Sequence, residues 1–172
     1  MRVRIASDSD VAELSAIGSR VFWDAYGGTA PDEAIEGHVS SYFSEEYIAK
    51  EILRPQVIYH MAVENQQCAG LVKVRDSEVP ELVAAASTME VQQLYVSTEF
   101  QRRGIGALLL DHAVMTAKNR GVDGLWLSVW EDADWAKNFY EKYGFASQGE
   151  IPFMLDKTEF VDHLMWLPVG DS

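Results

Sequence analysis

The sequence holds one cysteine, Cys68, so no intramolecular disulfide is available and stability must come from a packed core. Long apolar runs are also missing. Stretches such as "ALLL" at 107–110 fall far short of the roughly 20 residues needed to span a bilayer. The N-terminal "MRVRIASDSD" turns acidic where a secretory leader would need an apolar segment, so the expected location is cytoplasmic, with no membrane partner. Cations are scarce: 14 Lys and Arg stand against 27 Asp and Glu, a formal charge of -13. That field opposes binding to nucleic acid through its phosphates. It would attract cations, including a cationic amine, although solubility alone accounts for it equally well. There is no repeat, low-complexity tract or linker composition, and 172 residues suit one domain, 1–172.

The elements follow from periodicity and punctuation. "VRI" at 3–5 reads as a strand, and Ser7, Asp8 and Asp10 offer caps for a helix with Val11, Leu14, Ile17 and Val21 on one face, ended by Gly27 and Gly28. Two shorter helices follow, "PDEAIEGHVSSYF" and "SEEYIAKEIL", with Ser44 a cap and Pro55 a stop. "VIYHMAVE" and "CAGLVKVR", joined through Asn65, Gln66 and Gln67, predict an antiparallel hairpin. Next come a strand "MEVQQLYV", a helix, the strand "GLWLSVW", a helix "DADWAKNFYEKYG" stopped at Gly144, and strands "FASQGEI" and "FVDHLMWLPV". This order predicts an α/β (α+β) chain with a mixed sheet and helices on its faces.

The densest chemistry lies in "QRRGIGALLLDHA", residues 101–113. A dinucleotide-binding GxGxxG would need glycine where Leu109 stands, and no P-loop Lys-Ser/Thr pair follows Gly104, which excludes both nucleotide fingerprints. What is left is a glycine turn opening a helix. Without Cβ atoms at Gly104 and Gly106 a ligand can approach the backbone, and first-turn amides and the helix dipole favour an anion there. An ordinary helix start with solvated arginines is the plainer alternative.

"LYVSTEFQRRGIGALLLDHA", followed by "LWLSVW" and "FYEKYGF", resembles the GCN5-related N-acetyltransferase (GNAT) family. The likeness covers about Met89 to Phe145 well and the remainder more loosely. It implies a GNAT-like fold with a mostly antiparallel sheet of six to seven strands, acetyl-coenzyme A as co-substrate and a primary amine as acceptor. Dimerisation is common in that family, but no residue here demonstrates a homodimer. Carried over residue by residue, the pyrophosphate turn maps onto Gln101, Arg102, Arg103, Gly104, Ile105, Gly106 and Ala107. The backbone contacts to pantetheine and acetyl map onto Leu94, Tyr95 and Val96. Transfer needs an unprotonated amine, a donor to the oxyanion and a proton for the thiolate. The likeness assigns the oxyanion donor to the Val96 amide and the proton donor to Tyr140, whose phenol, of pKa about 10, is neutral at pH 7. Glu90 is the candidate base through water; a solvated acid at a strand end is its alternative. Where the family commonly carries an asparagine that contacts the coenzyme, this chain has Ala133, so that side-chain contact is missing, and neighbouring Asp132 is no more than a candidate substitute.

"FWDAYGG", "YFSEEYIAKEIL" and "FMLDKTEFVDHLMW" further resemble the PaiA-like branch, whose members acetylate spermidine and spermine. That likeness places Trp23 and Tyr26, with Tyr42 and Phe43, on the acceptor side. Glu131, Asp132 and Asp134 cluster near the expected mouth, and Glu131 is the candidate contact to a cation. The four histidines, His38, His60, His112 and His163, lack metal-ligand spacing, so no metal is expected. Cys68 reads as a buried thiol rather than an acyl carrier, which favours direct transfer. Two further readings stay open: transfer to another small amine or a protein N-terminus, and an idle acyl-coenzyme A sensor.

Overall fold

A computed structural model describes residues 1–170. The strands are β1 (Arg2–Ile5), β2 (Val57–Glu64), β3 (Gln67–Ser77), β4 (Thr88–Val96), β5 (Gly124–Trp130), β6 (Ala146–Leu155) and β7 (Thr158–Pro168). The helices are α1 (Val11–Tyr26), α2 (Asp32–Tyr42), α3 (Glu45–Ile52), α4 (Ile105–Arg120) and α5 (Asp134–Tyr143). The strands form one sheet in the order β1-β2-β3-β4-β5-β7-β6. Every neighbouring pair is antiparallel except β4 with β5. This is the mixed, mostly antiparallel α/β sheet expected from the order of elements.

Helices cover both faces because each interior strand is apolar on both. On one face α4 lays Ile105, Leu109, Leu110, Ala113 and Ala117 against Val72, Val74, Met89, Leu125 and Leu127. Fully burying one such leucine or isoleucine contributes about 1.5–3 kcal/mol. α5 packs on the same face, with Phe139 and Tyr140 against this core and the Tyr143 hydroxyl donating to Asp111 of α4 at 2.7 Å. On the other face α1 and α3 bury Leu14, Ile17 and Ile48 against Tyr59, Met61 and Leu71. A third cluster joins Phe22, Ile35 and Phe43 of the α1–α2 region to Leu155 and Phe160 of the last hairpin.

Several boundaries differ from the sequence expectation. Gln67 belongs to β3 rather than to the connection, because Asn65 and Gln66, at φ 51° and 65°, complete the reversal as a two-residue turn with both φ values positive. β6 does not stop at Ile151 but runs through Pro152 to Leu155. It is an edge strand, where a missing amide is tolerated. Lys73, inside an apolar strand, is fully buried and donates to Glu51 at 2.8 Å, while Arg54 holds the other Glu51 oxygen at 2.7 Å. Burial pushes the Lys73 ammonium down from its ordinary value, and Glu51 pulls it back up. His60 is buried as well: it hydrogen-bonds Thr116 at 2.9 Å, and burial lowers its pKa to about 4.

Candidate active site

The site begins with a parting of the sheet. β4 and β5 pair at only three positions, Thr88 with Gly124, Met89 with Leu125 and Glu90 with Trp126. Just beyond, the β3–β4 register shifts between Lys73 opposite Gln93 and Val74 opposite Val91, so Gln92 is an extra, bulged residue. A bulge bends and twists its strand, and here it accompanies the separation of β4 from β5. The resulting cleft of about 1230 Å³ is lined from both faces of the sheet.

On the α4–α5 face the backbone supplies most of the polarity. Ser97 donates its amide to the Ala69 carbonyl at 3.0 Å. The alternation of an antiparallel ladder then commits the Tyr95 backbone to β3 and turns the amides of Leu94 and Val96 toward the parting. The Val96 carbonyl accepts from Gln101 Nε2 at 3.2 Å. In the turn after β4, the amides of Ile105, Gly106 and Ala107 have no acceptor among the described residues, and the first bond of the helix runs from Leu108 to the Gly104 carbonyl at 3.1 Å. Such a row of free amides at a helix start suits an anion.

The two glycines of the turn serve different ends. Gly104 adopts φ +77°, a left-handed conformation that disfavours a side chain, and its Cβ direction is open. Gly106 makes room for a protein group: a Cβ there would lie 3.0 Å from Phe139 Cζ. The close approach expected at Gly106 is thus taken by α5. Arg102 has φ 59°. Arg103 is held by Glu64 at 2.7 Å and lies over the Phe100 ring.

Tyr140 lines the cleft from this same face, its ring 5.2 Å from that of Phe139. Burial pushes its phenol above the ordinary value. Ala133 also lines the cleft, whereas Asp132 is exposed and does not, so no side chain there replaces the absent asparagine.

On the α1–α2 face the walls are aromatic. Tyr26 stacks on Trp130 at 5.6 Å and meets Phe160 at 5.8 Å and Phe153 at 6.1 Å. Asp162 sits opposite Trp130 across β5 and β7. It is only 5% exposed, and its Oδ1 has no hydrogen-bond partner. Burial pushes its carboxyl above the ordinary range, against a smaller downward pull from Ser128 and His163. Glu90 lines the cleft as well, accepting from Arg75 Nε at 2.6 Å.

The residues anticipated from sequence are therefore gathered unevenly. Tyr140, Glu90, Leu94, Tyr95 and Tyr26 line one cleft, whereas Val96 and the turn 101–107 follow β4 along the chain without lining it. Trp23 packs in the third apolar cluster, and Glu131 is exposed; neither lines the cleft. Asp162, Trp130, Phe153, Phe160, Arg75 and Gln92 were not anticipated. One signal was available for Asp162: in "FVDHLMW" it alternates in phase with Leu164 and Trp166, an acid on a face that is otherwise apolar.

Comparison with known proteins agrees with this geometry. The acetyltransferase (GNAT) family model matches residues 21–145. The chain belongs to that family and is a GNAT-type N-acetyltransferase; such enzymes take the acetyl group from acetyl-coenzyme A. It is 26% identical to an uncharacterised N-acetyltransferase of Lactobacillus delbrueckii subsp. lactis, over 92% of each chain. It is also 26% identical to the spermidine N(1)-acetyltransferase of Thermoplasma acidophilum, over 84% of this chain and 88% of that one. The crystal structure of the PaiA N-acetyltransferase of Thermoplasma acidophilum, solved with coenzyme A, has the same fold: TM-score 0.73 and 23% identity, covering 95% of this chain and 98% of that one.

Proposed function

We propose that this enzyme moves an acetyl group from acetyl-coenzyme A directly to a primary amine, with spermidine and spermine the foremost acceptors. The observation that carries this reading is that Tyr140 and Glu90 line one cleft from opposite faces of a parted sheet. Acetyl-coenzyme A, a thioester, supplies an activated acyl group. The protein groups present suit it: free amides at Ile105, Gly106 and Ala107 for a pyrophosphate, and inward-turned amides at Leu94 and Val96 for the amide-bearing arm and the acetyl carbonyl.

In this reading the Val96 amide donates to the carbonyl oxygen as negative charge develops there. Glu90, through water, takes a proton from the incoming ammonium, so that the neutral nitrogen can attack. As the carbon–sulfur bond breaks, Tyr140 gives its hydroxyl proton to the departing thiolate, and the phenolate recovers a proton, through water, from the nitrogen that becomes the amide. Burial keeps the phenol protonated until that moment. Cys68 supports direct transfer: it does not line the cleft, and burial pushes its thiol up to about 11, which suppresses the thiolate an acyl carrier needs. Polyamines are favoured by the acids of the cleft, Glu33, Asp156 and Asp162, and by the relative named for spermidine acetylation.

The test is release of free thiol when the protein is mixed with acetyl-coenzyme A and a panel of amines covering polyamines, monoamines and peptide N-termini. Turnover greatest with polyamines is expected. Coenzyme binding without turnover on any amine would overturn the reading and leave an acyl-coenzyme A sensor.

A further inference from the structure

We infer that Asp162, with the cleft-lining rings of Tyr26, Trp130 and Phe153, forms a cation site for a second, non-reacting nitrogen of the acceptor, so that the preferred substrates are long alkyl diamines and polyamines. This rests on the reading of the enzyme as a primary-amine acetyltransferase. It begins from an imbalance. Asp162 lines the cleft, is 5% exposed and leaves Oδ1 unpartnered. A buried carboxylate without a partner opposes folding, and such groups concentrate where a ligand completes them.

Among the described residues no Lys or Arg pairs with Asp162, and the influence of Ser128 and His163 is smaller than that of burial. Arg75, the only Lys or Arg lining the cleft among the described residues, is engaged by Glu90 at 2.6 Å. His38, the only cleft-lining histidine, stacks on Phe22 at 4.5 Å, and burial lowers its pKa, which favours the neutral ring. Trp130 lies opposite Asp162 across β5 and β7, and Tyr26 contacts Trp130, Phe153 and Phe160, so the carboxyl adjoins an aromatic cluster. Aromatic faces attract alkylammonium groups, and an unpaired acid among them supplies the counter-charge.

This site is not suited to the nitrogen that reacts. An attacking amine must lose its proton, whereas a carboxylate beside aromatic faces favours the charged form. Position agrees. Asp162 lies opposite Trp130, four residues along β5 from Trp126, where β5 last pairs with Glu90. At about 3.3 Å per residue that is roughly 13 Å along the strand. A nitrogen held at Asp162 and another presented near Glu90 and Tyr140 therefore belong to one molecule whose terminal nitrogens stand nearly that far apart, a span that extended spermidine approaches and a four-carbon diamine does not reach.

The experiment compares wild type and Asp162→Asn, both with coenzyme A bound, by calorimetric titration with 1,8-diaminooctane, spermidine and n-octylamine. The expected result is a loss of about tenfold or more in affinity for the diamine and spermidine, with n-octylamine changed less than about twofold. Trp130→Leu should show the same preference in milder form. Because Asp162→Asn removes an unpaired buried charge, the ligand-free melting temperature should hold or rise, while the stabilisation given by diamine should vanish. Equal losses for monoamine and diamine, or no loss for either, would overturn the inference. If wild type acetylates no amine yet binds diamine through Asp162, the proposed activity falls and this site stands. If Asp162→Asn acetylates and binds diamines as well as wild type does, the activity stands and this site falls.

Discussion

Phe139 fills the space that a side chain at Gly106 would require, with Cζ 3.0 Å from where that Cβ would lie. Phe139 precedes Tyr140 in α5, so the turn proposed to face the coenzyme and the helix that carries the proposed proton donor are packed through one glycine. Gly106→Ala requires the Phe139 ring to give way slightly, so kcat should fall only a few-fold, since small misplacements at a reacting centre are costly. Gly104→Ala meets open space but a positive φ, so it should lower stability by about 1 kcal/mol and affect kcat less. Steady-state kinetics of Gly106→Ala alone and with Phe139→Leu check this: the second change should restore activity.

Tyr140→Phe removes the hydroxyl and keeps the ring that packs against Phe145 at 5.7 Å. Thiol release should slow by about 10²- to 10⁴-fold, with coenzyme affinity changed less than about threefold. Single-turnover measurements beside equilibrium binding separate the two effects, and undiminished turnover would remove Tyr140 from its role.

The buried pair of Lys73 and Glu51 should show a non-additive response. Glu51→Gln leaves an ammonium buried without a counter-charge, and a loss of about 3–5 kcal/mol is expected. Lys73→Met combined with Glu51→Leu should recover most of that loss, because no charge then remains to be desolvated. Denaturant unfolding of the single and double variants closes the cycle.

Acid should weaken the N-terminal staple. Arg4 holds Asp10 through two bonds of 2.7 and 2.6 Å, and the Ser7 amide adds a third at 2.7 Å. The Arg4 hydrogen bond is the largest influence that brings the Asp10 carboxyl from 3.8 to about 2. A lowered carboxyl contributes its full stabilisation above its unfolded value and loses it as pH falls toward the folded one. Asp10→Asn should therefore cost about 1–2 kcal/mol at neutral pH, with the deficit disappearing between about pH 4 and pH 2. Urea midpoints across that interval measure it.

The elements most legible in the sequence were those whose signals are local. "VIYHMAVE" spans β2 from its first residue to its last, and the strand–turn–helix that ends in α4 followed from two glycines before an apolar helix. What stayed hidden depends on partners distant in the chain. The Gln92 bulge exists only relative to β3, so "MEVQQLYV" reads as an unbroken alternation. Lys73 looks like a strand-edge cation until Glu51 is seen beneath it. Gly106 looks like a ligand contact until α5 is placed over it. Tyr140 was found through its motif, whereas Asp162 belongs to no motif and was recognisable only as an acid in phase with apolar residues.

The parting of β4 from β5 also divides the chain by task. The groups proposed to handle the donor come from its middle, residues 94–107 and Tyr140, whereas the aromatic wall proposed for the acceptor comes from α1, the end of β5 and the β6–β7 hairpin. The family match stops at residue 145, before that hairpin begins. Under the proposed roles, acceptor choice rests on a terminal hairpin and the rim of one helix, apart in the chain from the groups assigned to the acetyl donor.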